Sequence, residues 1–328
     1  MHLRNRTIEP LKTHLMIPTQ EALRKTAERI RPYVHNTPVM QSRLLNEKTG
    51  ATVFFKCENF QRMGAFKMRG ATNAILQLSD AERSRGVITH SSGNFAQALA
   101  LAAGTLDTKA TIIMPSNAPR VKVEAVRDYG AEIITCEPTL EARENTCRAV
   151  QEKSRATFIH PYDDHNVILG QGTAAWELIH EVGDLDILLA PVGGGGLISG
   201  TAIAQHYLLP ESQTIGAEPF GADDAYLSIK TGKIQPSVNP ITIADGLLTQ
   251  LGEKTFPIIQ KYVSNIIRVE ESEIIDAMRF TWERMKIVIE PSSAVAVAAL
   301  FRKKERFKKR KVGVILSGGN LDLSNLPF

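Results

Sequence analysis

Cysteine is scarce in this chain. Three in 328 residues, Cys57, Cys136 and Cys147, are scattered without disulfide or metal spacing. An odd, unpatterned set suits a reducing compartment. Long hydrophobic runs are missing as well: nothing approaches the ~20 apolar residues of a membrane helix. Met1 to Thr19 is basic and polar, without the apolar core of a secretion signal. The expectation is a cytoplasmic protein with no membrane partner. Charge of one sign is equally absent, since 39 Lys and Arg against 35 Asp and Glu leave only +4, which argues against nucleic acid. The eight histidines show no zinc spacing. His160 and His165 straddle Pro161 and read as structural or surface residues. No repeat or low-complexity linker is visible. The basic stretch Arg302–Lys311 reads as a solvated helix end and linker.

What is present is a core-forming composition, 43% hydrophobic and 23% charged, at a length that fits two lobes or one large α/β unit. Short β-branched runs alternate with helical patterns. Strands are expected at Val53–Lys56, Gly86–His90, Ala110–Met114, Glu132–Cys136, Thr157–His160, Ile187–Val192, Thr214–Ala217, Ile266–Val269 and Val312–Leu316. Helices are expected at Asn94–Ala103, Arg120–Tyr129, Leu140–Lys153, Gly172–Glu181 and Glu271–Met285. Such alternation predicts parallel sheets with right-handed crossovers, whose ligands bind beyond the carboxyl ends of the strands.

Four segments fall at such ends or near them. Gly193–Gly196 follows an apolar run and precedes a helix pattern, so its backbone N–H groups suit a phosphate, although a tight turn would also use glycine. Ser91-Ser92-Gly93-Asn94 opens an alanine-rich helix; a plain N-cap and a carboxylate seat are compatible readings. Ser317-Gly318-Gly319-Asn320 closes the last strand. Lys67, between Gly64 and Gly70, sits at a loop-to-helix entry, where the helix dipole disfavours an exposed lysine; as a nucleophile it needs a lowered pKa. An amine, two anion cradles and a hydroxyl for a ring nitrogen are the equipment of a pyridoxal phosphate (PLP) enzyme.

A rival pattern overlaps them. Strand, Gly-rich turn, helix and a strand ending in Glu218 imitate a dinucleotide-binding unit and hence an NAD-dependent oxidoreductase. The third fingerprint glycine, however, falls on Ile198, and Lys67 and the Ser92 loop stay unexplained. Further on, Glu218 to Asp224 offers carboxylates and free carbonyls whose oxygen chemistry suits Mg²⁺ or Ca²⁺; alternatively, Asp223 and Asp224 simply start a helix.

The segments Gly64-Ala65-Phe66-Lys67-Met68-Arg69-Gly70-Ala71, Ser92-Gly93-Asn94, Gly193–Gly196 and Ser317-Gly318-Gly319-Asn320 resemble the fold-type II PLP family, and within it the serine racemase and serine/threonine dehydratase group. Gly170-Gln171-Gly172-Thr173, Thr242–Gly246, Trp282–Lys286 and Ile289-Glu290-Pro291 fit as well, so the likeness runs from Ile30 to Leu323. The resemblance implies a tryptophan synthase β-like fold, two parallel-sheet lobes with the cofactor between them. The large lobe would comprise 1–76 and 164–328, and the small lobe 77–163. Lys67 would carry PLP, with Phe66 beside the ring, Asn94 on its phenolic oxygen, Gly193, Gly194, Gly195, Gly196 and Leu197 around its phosphate, and Ser317 at its pyridine nitrogen. Ser91 and Ser92 would hold the substrate carboxylate, Ser92 would also be the base opposite Lys67, and Arg143 would lie near the substrate. Glu218, the Ala222 carbonyl and Asp224 would form the Mg²⁺ or Ca²⁺ site.

The implied protein is a homodimeric ammonia-lyase. It would eliminate water from a 2-amino-3-hydroxy acid such as L-threonine or L-serine, giving a 2-oxo acid and ammonia. Racemisation of serine or an aspartate-type acid, or dehydration of 3-hydroxyaspartate, are the alternatives. A neutral hydroxyl at Ser317 need not keep the ring nitrogen protonated, which favours prompt loss of the leaving group. Two departures from the group's pattern are Ala65 for serine and Phe95 for histidine; the second, beside the carboxylate loop, bears on substrate choice more than on the chemistry.

Overall fold

The computed structural model describes residues 17–328; the N-terminal segment read above as free of an apolar core lies almost wholly outside them. Ten strands form two sheets. They are β1 (Val39–Met40), β2 (Thr52–Cys57), β3 (Val87–His90), β4 (Ala110–Pro115), β5 (Glu132–Cys136), β6 (Thr157–Phe158), β7 (Ile187–Pro191), β8 (Gln213–Pro219), β9 (Val263–Val269) and β10 (Lys311–Leu316). The larger sheet has the order β1-β2-β10-β7-β8-β9, the smaller β5-β4-β3-β6. All pairings are parallel except that of the two-residue edge strand β1 with β2. Every strand of the smaller sheet lies between residues 87 and 158.

Strand β7 is buried at each of its five residues, as expected for a central parallel strand covered on both faces. Side chains alternate between the faces. Leu189 joins a core with the helices Glu271–Phe280 and Pro291–Arg302, whereas Leu188 and Ala190 join one with His165–Val182 and Gly196–Leu208. Helix Lys67–Leu76 lies at the seam between the sheets: Phe66, just before it, belongs to the larger sheet's core, and Met68, Ala71 and Ile75 to that of the smaller.

Two glycine contacts fix this seam. A Cβ on Gly170 would come 2.5 Å from Gly70 Cα, and one on Gly172 would come 2.8 Å from Gly200 O. Helix His165–Val182 therefore presses the lysine helix on one side and Gly196–Leu208 on the other. Below the seam, Arg69 is fully buried and bonds Glu58 at 2.7 and 2.9 Å and Glu177 at 2.7 Å. Lys56, also buried, pairs with Glu177 at 2.7 Å. These buried charges are tolerable because each is paired and hydrogen-bonded.

The nine expected strands are present as β2 to β10, with two differences of note. The segment beginning at Thr157 stops at Phe158, because His160 turns the chain: its Nδ1 accepts from Asp163 N at 2.9 Å. The expected helix Glu271–Met285 ends as α-helix at Phe280 and continues as a π-turn, Thr281–Met285, closed by Lys286 at φ 60°. Among the described residues no helix is long and apolar enough to cross a membrane.

Candidate active site

One cavity of about 360 Å³ opens between the two sheets, at the carboxyl ends of β3, β7 and β10. It is lined by Phe66, Lys67, Ser91, Ser92, Asn94, Arg143, Gly193, Gly194, Gly195, Gly196, Leu197 and Ser317. All the residues expected to hold cofactor and substrate are thus brought together, from segments up to 250 residues apart (67 to 317).

Lys67 begins its helix without a side-chain cap. It is partly exposed, but only toward the cavity. Its Nζ donates to Pro161 O at 2.9 Å and lies 5.1 and 5.6 Å from the ring centroids of Phe66 and Phe95. The aromatic faces favour an ammonium, and so does Glu290, but burial outweighs both and holds the amine down to about 8. Phe95 is therefore a wall of the lysine's own compartment, a more central place than beside the carboxylate loop alone.

The lysine loop is stitched to the loop after β10. Ala65 bridges Gly318, Phe66 N donates to Ser317 O at 3.0 Å, and Gly319 N donates to Gly64 O at 2.9 Å. Ser317 is thereby buried at the floor of the cavity. Across the cleft, Asn94 donates from Nδ2 to Glu290 Oε1 and Oε2 at 2.9 and 3.1 Å, and its Oδ1 accepts from Asn320 Nδ2 at 3.0 Å. These bonds fix the orientation of the amide. Burial pushes Glu290 up to about 7, against the hydrogen bond from Asn94.

The four glycines after β7 are each crowded by protein. A Cβ on Gly193 would come 3.0 Å from Gly246 O; one on Gly194 would overlap the ring of Tyr162; one on Gly195, at φ +89°, would meet Thr255 at 2.8 Å; one on Gly196 would come 3.1 Å from Tyr162 Cβ. Among the described residues, none of the backbone N–H groups from Gly193 to Ile198 finds a backbone acceptor. Such a row of free donors at a helix N-terminus fits a phosphate. The N–H groups of Ser92, Asn94 and Phe95, at the start of helix Asn94–Thr105, are likewise without backbone acceptors among the described residues. The cavity therefore has two anion seats, an amine of lowered pKa and a buried hydroxyl, and it fits PLP.

Several lining residues carry no motif. Glu290 and Asp245 stand out only as parts of Ile289-Glu290-Pro291 and Thr242–Gly246, and His90, His160, Tyr162 and Lys122 reach the cavity through the fold. His160, read from sequence as structural or surface, closes a turn through Nδ1 and also lines the cavity, and burial lowers its imidazole to about 4. Lys122 pairs with Asp245 across the cleft.

Glu218, Ala222 and Asp224 lie apart from this cavity, at the end of β8 and the start of helix Asp224–Thr231. Glu218 is fully buried and accepts from Ala225 N at 3.1 Å and Tyr226 N at 2.8 Å. Neither carboxylate oxygen of Asp224 has a hydrogen-bond partner, although the residue is buried. Burial, and the charge of Asp224, raise Glu218 well above the usual range; burial raises Asp224 to about 7. Two buried carboxylates, one orphaned, are what a hard cation would relieve. Among the described residues no group of three or more His, Cys, Asp or Glu side chains is arranged so that it could hold a metal ion. Glu218 turns its carboxylate onto helix N–H groups, which leaves the dinucleotide pattern without its ribose partner.

A site of this kind, lysine and phosphate cradle on a seam between two parallel sheets, defines an enzyme that uses a phosphorylated aldehyde cofactor. The chain belongs to the pyridoxal-phosphate dependent enzyme family, which it matches over residues 30–318. It is 48% identical over 314 residues to a beta-hydroxyaspartate dehydratase of Paracoccus denitrificans, covering 96% of this chain and 100% of that one. It is 48% identical over 310 residues to an L-threo-3-hydroxyaspartate ammonia-lyase of Saccharomyces cerevisiae, covering 94% and 95%. The crystal structure of serine racemase from Dictyostelium discoideum matches with a TM-score of 0.91 at 47% identity, over 94% of this chain and 100% of that one.

Proposed function

We propose that the protein eliminates water from a 2-amino-3-hydroxy acid, with a 2-oxo acid and ammonia as products. The observation that carries this reading is the convergence of Lys67, the Ser91–Asn94 loop, the Gly193–Leu197 cradle and Ser317 on one cavity. PLP, when bound, supplies the electron sink for deprotonation at Cα. Lys67 holds it and, once freed, takes the Cα proton at Nζ; an amine held near 8 is partly unprotonated at neutral pH and suited to that transfer. Gly193 to Leu197 would hold the phosphate, with Phe66 beside the ring, Asn94 toward the phenolic oxygen, and Ser317 toward the ring nitrogen, on which a neutral hydroxyl need not force a proton. Ser91, Ser92 and the helix N-terminus seat the substrate carboxylate. Ser92 would stand on the side opposite Lys67, as the family resemblance implies, where a second base would permit racemisation.

One observation favours a particular substrate. Arg143 lines the cavity, near enough to His90 and Cys136 for its charge to act on both. A cation there suits a second carboxylate, as in 3-hydroxyaspartate, and relatives named for that acid support it. Glu218, Asp224 and the Ala222 carbonyl would hold Mg²⁺ or Ca²⁺. The reading also includes a cytoplasmic homodimer, and a small lobe of 77–163 set against the rest of the chain. Support comes from the family resemblance, the unpatterned cysteines and the confinement of the smaller sheet to one stretch of sequence.

The test is a panel of D- and L-serine, L-threonine, and threo- and erythro-3-hydroxyaspartate, scoring oxo acid, ammonia and enantiomer, with and without chelator. Stoichiometric oxo acid and ammonia, greatest with a 3-hydroxyaspartate and reduced by chelation, are expected. Enantiomer without oxo acid would make the protein a racemase.

A further inference from the structure

The segment His160–Asp163 has no part in the chemistry above, yet it touches three components of the site. Pro161 O holds the Lys67 amine at 2.9 Å. Tyr162 lays its ring flat on Gly194, so that a Cβ there would overlap Cγ, Cδ1 and Cδ2, and its own Cβ abuts Gly196. Asp163 accepts the N–H groups of Glu253, Lys254 and Thr255 at 3.1, 2.7 and 3.1 Å, fixing the start of helix Thr255–Tyr262. From that helix, Thr255 Oγ1 donates to Gly194 O at 2.9 Å. Gly194 is thus held by a ring on one side and a hydroxyl on its carbonyl. The segment is itself a closed turn, since His160 Nδ1 accepts from Asp163 N at 2.9 Å and Tyr162 N at 3.4 Å, and its ring stands edge-on to Tyr162 at 4.6 Å.

We propose that Tyr162 is the positioning residue for the cofactor phosphate: its ring presses the cradle into the conformation in which the Gly193–Leu197 N–H groups face the cavity. Glycine runs have many accessible backbone conformations, and a cradle that must order itself on binding gives up affinity. The ring removes that freedom beforehand. The face of the ring does this, not the phenol, so phenylalanine should serve as well. The proposal rests on the PLP reading of the site.

The test compares PLP with pyridoxal, which forms the same bond to an amine but lacks the phosphate. Dissociation constants for both are measured on apo wild type, Tyr162→Phe, Tyr162→Ala and Tyr162→Leu, along with apo melting temperatures. Tyr162→Ala and Tyr162→Leu should weaken PLP by about tenfold or more, leave pyridoxal within about twofold, and leave apo melting nearly unchanged, because the loss is one of preorganisation. Tyr162→Phe should match wild type. Equal weakening of both aldehydes would mean the segment acts through Lys67, and would overturn the proposal. So would unchanged PLP affinity, a Tyr162→Phe as weak as Tyr162→Ala, or failure of both Tyr162→Ala and Tyr162→Leu to fold. Wild type that binds neither aldehyde would instead sink the PLP reading.

Discussion

The two walls of the cleft are built differently. On the cradle wall, helix Gly196–Leu208 buries ten consecutive residues, Gly196 to Gln205, and packs through glycine on helix His165–Val182, which glycine contacts and buried charges lock to the lysine helix. On the facing wall, helix Arg120–Asp128 buries only Val126, and helix Leu140–Ser154 only Cys147. In the proposed reading the cradle wall seats the cofactor, while the facing wall brings Arg143 and Lys122 to the cavity. Dense packing suits a cofactor seat whose geometry must not vary. Light packing leaves side chains free to change at small cost to the fold. The difference teaches where specificity can be altered.

The sharpest way to break this comparison is a matched pair of arginines. Arg69→Leu leaves Glu58 buried and uncompensated and should cost about 3–5 kcal/mol, whereas Arg143→Leu should cost no more than about 0.5 kcal/mol. Urea unfolding of the two variants checks this; similar losses would erase the distinction between the walls.

Much of the cradle wall was legible in the sequence, because Gly193–Gly196 and Lys67 lie beside strands whose apolar runs announce them. Less of the rest was. Glu290, His160 and Tyr162 act through contacts with residues 32 to 196 positions away, Tyr162 on Gly194 and Glu290 on Asn94, and no local period encodes such contacts. The π-turn after Phe280 escaped because one wide turn hardly disturbs a helical hydrophobic pattern. The glycines of the cradle were read as room for phosphate. They also make room for Tyr162, Thr255 and the Gly246 carbonyl, which one chain of letters does not distinguish.

A smaller effect is expected from Glu290, which joins the walls. Its pKa rises from 4.5 to about 7 in the folded protein. The folded state therefore holds a proton that the unfolded state has lost, and this contribution is full below 4.5 and gone above 7. Apo wild type should lose melting temperature between pH 5 and pH 8 by more than Glu290→Gln does, by about 1–3 kcal/mol in stability terms. Parallel pH profiles would show that Glu290 is not the group responsible. Subtler still is Phe95→His. A ring of similar size keeps the Lys67 compartment closed but adds a polar group, so oxo-acid formation should persist while the ranking of hydroxyamino acids changes, by about tenfold between extremes. An unaltered ranking would return specificity entirely to Arg143 and its neighbours.

The account stands on Lys67 as the residue that carries the cofactor. Borohydride reduction of the PLP-loaded protein, followed by peptide mapping, tests this without reliance on any substrate. The expected result is a single phosphopyridoxyl group on the peptide containing Lys67, absent from Lys67→Ala. Its recovery on another lysine, or labelling of Lys67→Ala to the same extent, would contradict the account.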